Sequence, residues 1–181
     1  MVLGGLQLTE GYNKIVAHLN AFSIPAMQTL FAARFKAGQR GANVIDVGDL
    51  VFGIVLEDQG MVGNLLSNMQ GAQEFIHVLP SPSHSPFFPP ATAGDILTRI
   101  ENLLPQSEPY THTLEVPLSP DLERSFDGAK DVRNMFHHNQ IEPLHLLAAV
   151  LSQESSQHVK LLREAGITRE MVMERLRATE S

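Results

Sequence analysis

The chain has 181 residues, and 43% of them are hydrophobic, which is enough to bury a core in one domain or two small ones. Its 20 acidic and 13 basic residues give a formal net charge of −7, and the basic residues form no cluster apart from a short C-terminal run, so nucleic acid is disfavoured as a partner. The absence of cysteine excludes disulfides, thiolate metal sites and a cysteine nucleophile.

A membrane protein and a secreted protein are also disfavoured. The longest apolar runs fall far below the ~18–20 residues that are needed to span a bilayer. The first five residues, MVLGG, lack the basic segment and long apolar run of a secretory signal. We therefore expect a cytoplasmic protein without a membrane partner.

The first part of the chain predicts helices. Residues 1–20 form an N-terminal extension, in which residues 9–19 have the pattern of a short helix. Ser23 is a good helix N-cap, with Pro25 in the first turn, and it opens a first repeat. Helical periodicity is present again in DILTRIENLL, residues 95–104, which closes this repeat.

A proline-rich insertion, at about residues 67–94, interrupts this first repeat of residues 21–104. Its segment PSPSHSPFFPP has five prolines in eleven residues, which excludes a helix interior and favours extended backbone. Phe87 and Phe88 within it allow three interpretations: a surface loop that tucks them onto the core, a recognition element, or a lid over a hydrophobic groove. Two adjacent phenylalanines are not expected to stay fully in water.

The second repeat, residues 117–181, has clear helix signals. Pro120 and Pro143 suit the first positions of two helices. Gly166 followed by Ile167 predicts a helix stop with a hydrophobic contact. Four N-caps each precede a segment with apolar residues three or four positions apart: Ser119, Glu142, Ser156 and Thr168.

The two halves of the chain are similar to each other. Residues 22–66 align with residues 118–162 at a constant offset of 96 without a gap. The alignment matches polar residues as well as apolar ones, and its pairs include Ser23 with Ser119, Asn43 with Asn139, Ile45 with Ile141 and Asp46 with Glu142. This pattern predicts an all-α fold in which two pseudo-symmetric four-helix repeats bury their faces against each other as one compact domain.

The stretch IEPLHLLAAVLSQESSQHVKLLREAGI resembles the N-terminal Clp repeat of Clp-family AAA+ unfoldases and disaggregases. The first copy, NVIDVGDLVFGIVLEDQGMVGNLL, resembles the same repeat in a more divergent form, so the resemblance covers residues 22–66 and 95–179. It implies a compact all-α domain that binds adaptor proteins or exposed segments of substrate proteins and delivers them to an ATPase ring. No G-x-x-x-x-G-K-[ST] phosphate loop occurs, so we expect a free-standing N-domain without its motor.

The resemblance also implies binding residues. A groove that binds client or adaptor polypeptides would be lined by Ser23, Phe126 and Val132, to which we add Phe87 and Phe88 from the insertion. The expected function is a non-catalytic protein- or peptide-binding module, which acts in trans to a Clp AAA+ ATPase as an adaptor or competitor. The oligomeric state is left open.

A related branch of the family recognises phosphorylated arginine through one glutamate in each repeat. The matching positions here are Gly48 and Leu144, which cannot pair with a guanidinium group. We therefore do not predict that activity.

The alternative function is a metal-dependent enzyme that uses His145 together with His137, His138 and carboxylates. No H-E-x-x-H or G-x-S-x-G motif supports it, and the counterpart of His145 in the first copy is Asp49. We predict that His145 bonds to backbone or cap groups in the first turn of its helix, and that His137 and His138 have a surface role at a helix end. No catalytic residue, metal ligand or cofactor is predicted.

Overall fold

The computed structural model describes residues 21–67, 85–108 and 116–179 of the chain. These residues form eight helices, which are α1 (Ile24–Gln39), α2 (Val47–Asp58), α3 (Val62–Ser67), α4 (Pro90–Leu103), α5 (Pro120–Met135), α6 (Pro143–Val150), α7 (Gln157–Glu164) and α8 (Arg169–Ala178). The predicted all-α class is confirmed. The predicted N-terminal extension with its short helix, and most of the proline-rich insertion, lie outside the described residues.

The helices begin where the sequence predicts N-caps. A side-chain oxygen in the N-cap residue accepts a hydrogen bond from a backbone N–H of the first turn, which would otherwise lack a partner. The predicted caps that are confirmed in this way are Ser23 on α1, Ser119 on α5, Ser156 on α7 and Thr168 on α8.

Several helices end in the same hydrogen-bonded turn. After α7, Gly166 adopts the left-handed conformation at φ 81°, its N–H donates to Arg163 O, and Ile167 N–H donates to Leu162 O, both at 2.9 Å. These two bonds define a Schellman cap, which confirms the predicted stop at Gly166. The other residues with positive φ at helix ends are Gly41 (66°), Gly60 (67°) and His137 (55°).

α4 begins five residues earlier than the sequence predicted. The expected segment starts at Asp95, whereas the helix starts at Pro90, with Pro89 as its N-cap residue. Pro90 fits the first helical position because the N–H that proline lacks would have no partner there, and because its fixed φ matches the helix. The last prolines of the insertion therefore start a helix rather than prolonging an extended segment.

The core is built around α2 and α6. All 12 residues of α2 are buried, including three that carry carboxyl groups. α2 packs closely on α1 because Gly53 has no Cβ, and an added Cβ would meet Thr29 O at 2.3 Å. α6 packs on α5 in the same way, and there a Cβ on Gly128 would lie 3.1 Å from the Ala149 Cβ. Within the described part of the chain, no helix is both long and apolar enough to cross a membrane.

Candidate functional site

The two halves of the chain meet where the segment before α1 pairs with the segment before α6. Phe22 and Ile141 form an isolated parallel bridge. Ser23 N–H donates to Ile141 O at 3.0 Å, and Ile141 N–H donates to Ala21 O at 2.8 Å. The N-termini of α1 and α6 therefore lie side by side.

A second bridge has the same arrangement with the two halves exchanged. Ile45, which precedes α2, pairs with Leu118, which precedes α5. Ile45 N–H donates to Pro117 O at 2.8 Å, and Ser119 N–H donates to Ile45 O at 2.9 Å. Each of these residues is the counterpart, at the offset of 96, of a residue in the first bridge. The contacts support the pseudo-symmetric repeat, whose division into residues 21–104 and 117–181 stays a prediction.

The N-cap side chains also bond across this junction. Ser23 Oγ, which caps α1, donates to Glu142 Oε2 of the α6 N-cap at 2.7 Å. Ser119 Oγ, which caps α5, donates to Asp46 Oδ1 of the α2 N-cap at 2.9 Å. Each serine thus accepts a bond from its own helix and donates one to the other half of the chain.

A polar residue in the first turn of α2 and of α6 is fully buried. Asp49 Oδ2 accepts the Asp46 N–H at 2.8 Å, and His145 Nδ1 accepts the Glu142 N–H at 2.7 Å. Each pair forms a reciprocal capping box, which satisfies a backbone N–H that the helix itself cannot. The predicted structural role of His145 is confirmed.

Each of these buried residues has a second partner from the end of the preceding helix. Arg40 binds Asp49 in two places, with Nε donating to Oδ1 at 2.9 Å and Nη2 donating to Oδ2 at 2.7 Å. The hydrogen bond to Asp49 raises the pKa of Arg40 in spite of its burial. In the second half, His138 Nδ1 lies 2.8 Å from His145 Nε2.

The chemistry of His145 is fixed by these contacts. Burial, helped by His138 and Arg133, lowers its pKa to about 4, so the ring is neutral at pH 7. Because Nδ1 accepts the Glu142 N–H, the single proton of the neutral ring is on Nε2 and points at His138. Neither nitrogen has a free lone pair for a metal or for a proton taken from a substrate.

The other two histidines of the predicted enzyme alternative differ from each other. The expected surface role fits His137, which is exposed, but it is wrong for His138, which is half-buried, stacks on Phe136 at 5.7 Å and bonds to His145. The turn after α5 folds the ring inward, which a reading of helix ends alone does not reveal. Among the residues that the structure describes, no group of three or more His, Asp or Glu side chains is placed to hold a metal.

Two of the predicted groove residues lie at the junction. Ser23 is only 4% exposed and is engaged by its two hydrogen bonds. Phe126 is half-buried and meets the ring of Phe22 edge-on, with the ring centroids 5.9 Å apart. Val132 belongs to the inward face of α5 and is 4% exposed. Of these three predicted residues, Phe126 has the side-chain surface that a partner can contact.

The phenylalanine pair of the insertion is held by the end of α2. The backbone N–H groups of Phe87 and Phe88 donate to the two carboxylate oxygens of Asp58, at 2.7 and 3.0 Å. Gln59 Nε2 donates to Phe88 O at 3.0 Å. Phe88 is fully buried and Phe87 is partly buried. This is the arrangement expected of a surface loop that tucks both rings onto the core. Their role in binding stays a prediction.

Residues 117–180 match the family model of the Clp repeat (R) N-terminal domain. This part of the chain is therefore similar to a Clp repeat. The resemblance that the sequence predicts is thereby confirmed over the second half. No curated protein matches the chain.

Two solved structures show the same fold over most of the chain. The N-terminal domain of the caseinolytic protease associated chaperone ClpD from Arabidopsis thaliana superposes with a TM-score of 0.57 at 13% identity, covering 90% of this chain and 99% of that one. A structure described as a preliminary structural investigation of a malarial protein secretion system superposes with a TM-score of 0.64 at 12% identity, covering 88% and 95%. The fold is therefore that of Clp N-terminal domains.

The first helix, α1, has small residues on its buried face and bulky residues on its exposed side, which the sequence pattern did not single out. The buried face of α1 consists mainly of small residues: Ala26, Thr29, Ala32, Ala33, Ala37 and Gly38. The bulky residues Ile24, Met27 and Phe31 follow three and four positions apart, and we call them the α1 stripe; Ile24 and Phe31 lie on the exposed side, whereas Met27 also packs against the core. Ile24 is 52% exposed and Phe31 39%, with Met27 partly buried between them. The stripe begins beside Ser23, at the junction where Phe126 meets Phe22.

The position that carries a glutamate in phosphoarginine-binding Clp repeats is closed in this chain. A Cβ added to Gly48 would lie 2.5 Å from His158 Nε2 and 2.8 Å from Leu104 Cδ2. His158 is 5% exposed, and burial lowers its pKa, so a neutral ring packs directly against the glycine. A longer side chain at Gly48 requires His158 and Leu104 to move.

Proposed function

We propose that this chain is a non-catalytic protein-binding module, which takes up exposed apolar segments of client or adaptor proteins on the α1 stripe and the neighbouring Phe126. The observation that carries the proposal is the orientation of α1. This helix packs its alanines against α2, where only small side chains fit, and leaves the bulky side chains of Ile24 and Phe31 exposed. Exposed bulky apolar residues in a row are typical of interaction surfaces.

The spacing of the stripe suits an extended or helical segment with apolar anchors. Its ends, Ile24 and Phe31, are seven residues apart, which is about two turns or 10 Å along the helix. Covering one such side chain contributes about 1.5–3 kcal/mol at most. The net charge of −7 favours segments that also carry basic residues, because opposite charge speeds the encounter. By analogy with the Clp fold, a captured segment would be passed in trans to a Clp AAA+ ATPase.

The proposal is tested by binding to a permanently unfolded, fluorescently labelled protein, followed by anisotropy. We expect Ile24→Ser and Phe31→Ser each to weaken binding by about tenfold, the effect of removing one buried apolar anchor. Met171→Ser is the matched control, because Met171 is 45% exposed on α8. Equal affinity of all three variants and the unmodified protein would refute a site on α1.

A further inference from the structure

The pair formed by His138 and His145 has a defined proton arrangement. His145 Nδ1 accepts the Glu142 N–H at 2.7 Å, so its proton is on Nε2. That N–H points at His138 Nδ1, 2.8 Å away, which must therefore be the acceptor. The proton of neutral His138 is then on its own Nε2. These two hydrogen bonds thus fix the tautomers of both rings.

No further proton can be added to this pair without breaking a hydrogen bond. The free position of His138 is Nδ1, and a proton there would face the Nε2–H of His145 across 2.8 Å. The free position of His145 is Nδ1, where a proton would face the Glu142 N–H across 2.7 Å. Since His138 is half-buried and His145 fully buried, the ring with access to solvent protons is His138.

The charged groups around the pair do not relieve this conflict. The positive charge of Arg133 on α5 helps to lower the pKa of His145, and the Arg133 guanidinium group donates a hydrogen bond to Asn134 Oδ1. The carboxylate of Glu142 accepts the Ser23 hydroxyl of the α1 N-cap, and its charge helps to raise the pKa of Glu57 on α2. The buried residues of α8, which packs on α6, do not titrate: Val172, Met173 and Leu176.

The same turn carries the junction between the two halves of the chain. Three residues after His138, the backbone of Ile141 makes both hydrogen bonds of the bridge to residues 21–23. The turn also contains His137 at φ 55°, a left-handed conformation that is strained for a side chain with a Cβ. The bond from His138 to His145 thus ties a turn that contains a strained residue to the first turn of α6.

We propose that His138 and His145 form an acid-sensitive latch, in which protonation of His138 breaks its hydrogen bond to His145 and loosens the turn that joins the two halves. The protonated ring turns outward to solvent, and the Nε2–H of His145 loses its acceptor. The bridge at Ile141 then opens more often. This behaviour follows from the junction alone and does not depend on what the α1 stripe binds.

The first test reads the protons directly. Long-range ¹H–¹⁵N imidazole spectra of the full chain at neutral pH are expected to show the proton on Nε2 in both His138 and His145. A proton on Nδ1 of His145 would overturn the latch, because the ring could not then accept the Glu142 N–H. This measurement needs no variant and remains decisive if a substitution prevents folding.

The second test follows amide exchange of Ile141 and Glu142 between about pH 7.5 and 5, the range in which histidine side chains gain protons. We expect protection to fall about fivefold beyond the intrinsic pH effect, as for the loss of one hydrogen bond. His138→Asn places a non-titrating oxygen where Nδ1 lies, so the fall should disappear. His137→Asn keeps the pair and suits the left-handed backbone, so the fall should persist. An equal fall in His138→Asn, or none in the unmodified protein, would overturn the proposal.

Discussion

Ser23 and Glu142 are 119 residues apart in the chain, yet the hydroxyl group of Ser23 donates a 2.7 Å hydrogen bond to the Glu142 carboxylate. Ser119 makes the corresponding bond to Asp46 at 2.9 Å. Both bonds join the N-cap of a long outer helix to the N-cap of a buried inner helix from the other half. Helix capping and the association of the two halves therefore depend on the same four side chains.

These shared caps predict a specific pattern of coupling. Ser23→Ala removes both an N-cap and a bond across the junction, and we expect it to lower the free energy of unfolding by about 1–2 kcal/mol, with a similar loss for Ser119→Ala. Double-mutant cycles in urea should show coupling between Ser23 and Glu142. The control cycle pairs Ser23 with Asp46, whose carboxylate accepts from Ser119 Oγ, and additivity is expected there. Coupling of the same size in both cycles would contradict the assignment of partners.

The two glycines at the helix crossings should respond differently to alanine. Gly53→Ala places a Cβ 2.3 Å from the backbone oxygen of Thr29, which cannot move without shifting α1, so we expect a loss of about 2–3 kcal/mol. Gly128→Ala meets only the Ala149 Cβ at 3.1 Å, and the higher helix propensity of alanine, about 1 kcal/mol, offsets that contact. Thermal melts of the two variants compare them directly. A larger loss for Gly128→Ala would mean that the crossings are assigned wrongly.

The strained position after α5 predicts a stabilising substitution. His137 adopts φ 55°, and its counterpart after α1 is Gly41 at φ 66°. His137→Gly should raise the free energy of unfolding by up to about 1 kcal/mol, because glycine adopts this conformation without a Cβ clash. Gly41→Ala should have the opposite effect, since its Cβ would lie 2.1 Å from Glu108 O. Chemical denaturation at neutral pH measures both, and destabilisation by His137→Gly would contradict the strain.

Glu57 gives the stability a pH dependence of known sign. Burial, with Asp58 and Glu142 nearby, raises its pKa to about 7. Because the pKa of Glu57 is raised in the folded state, its contribution to the free energy of unfolding is fully present below the pKa of the unfolded chain. This contribution is lost as the pH rises through about 7. Glu57→Gln should therefore be more stable than the unmodified protein by about 3 kcal/mol at about pH 8, and the difference should shrink as the pH falls and disappear below about pH 4. Urea denaturation across this range measures it.

Two features isolate this effect. His145, whose pKa is lowered to about 4 by burial, makes the folded protein less stable as the pH falls below the pKa of an unfolded histidine, but this contribution is common to both proteins and cancels in their difference. Glu123→Gln is the matched control, since Glu123 is exposed on α5. The same pH-dependent gain in Glu123→Gln would show that general charge reduction, and not the burial of Glu57, is responsible.

Much of the helical framework could be predicted because helix boundaries depend on near neighbours. The serine caps and the stop at Gly166 are determined by residues within one turn, and the sequence contains them in full. The early start of α4 was missed because the insertion was read as extended as far as Gly94, although its last proline suits a first helical position. The bond between His138 and His145 was missed because it depends on how the turn between α5 and α6 folds.

The orientation of α1 could not be predicted for a different reason. Alanines and bulky residues such as Ile24 and Phe31 both count as apolar, so the helical period does not show which of them faces inward. The close approach of α2 at Gly53 decides it, because only small side chains fit between the two helices. The helical period likewise places Val132 among the apolar residues of α5 without showing that it lies on the buried face.

The binding surface on α1 is tested most directly by mapping a bound client onto the backbone. ¹H–¹⁵N spectra of the labelled chain would be recorded while a permanently unfolded polypeptide is added to saturation. Binding at the proposed site predicts shifts concentrated on the first two turns of α1 and around Phe126, with little change on α8 near Met171. Absence of shifts at saturating polypeptide, or shifts confined to α7 and α8, would contradict it.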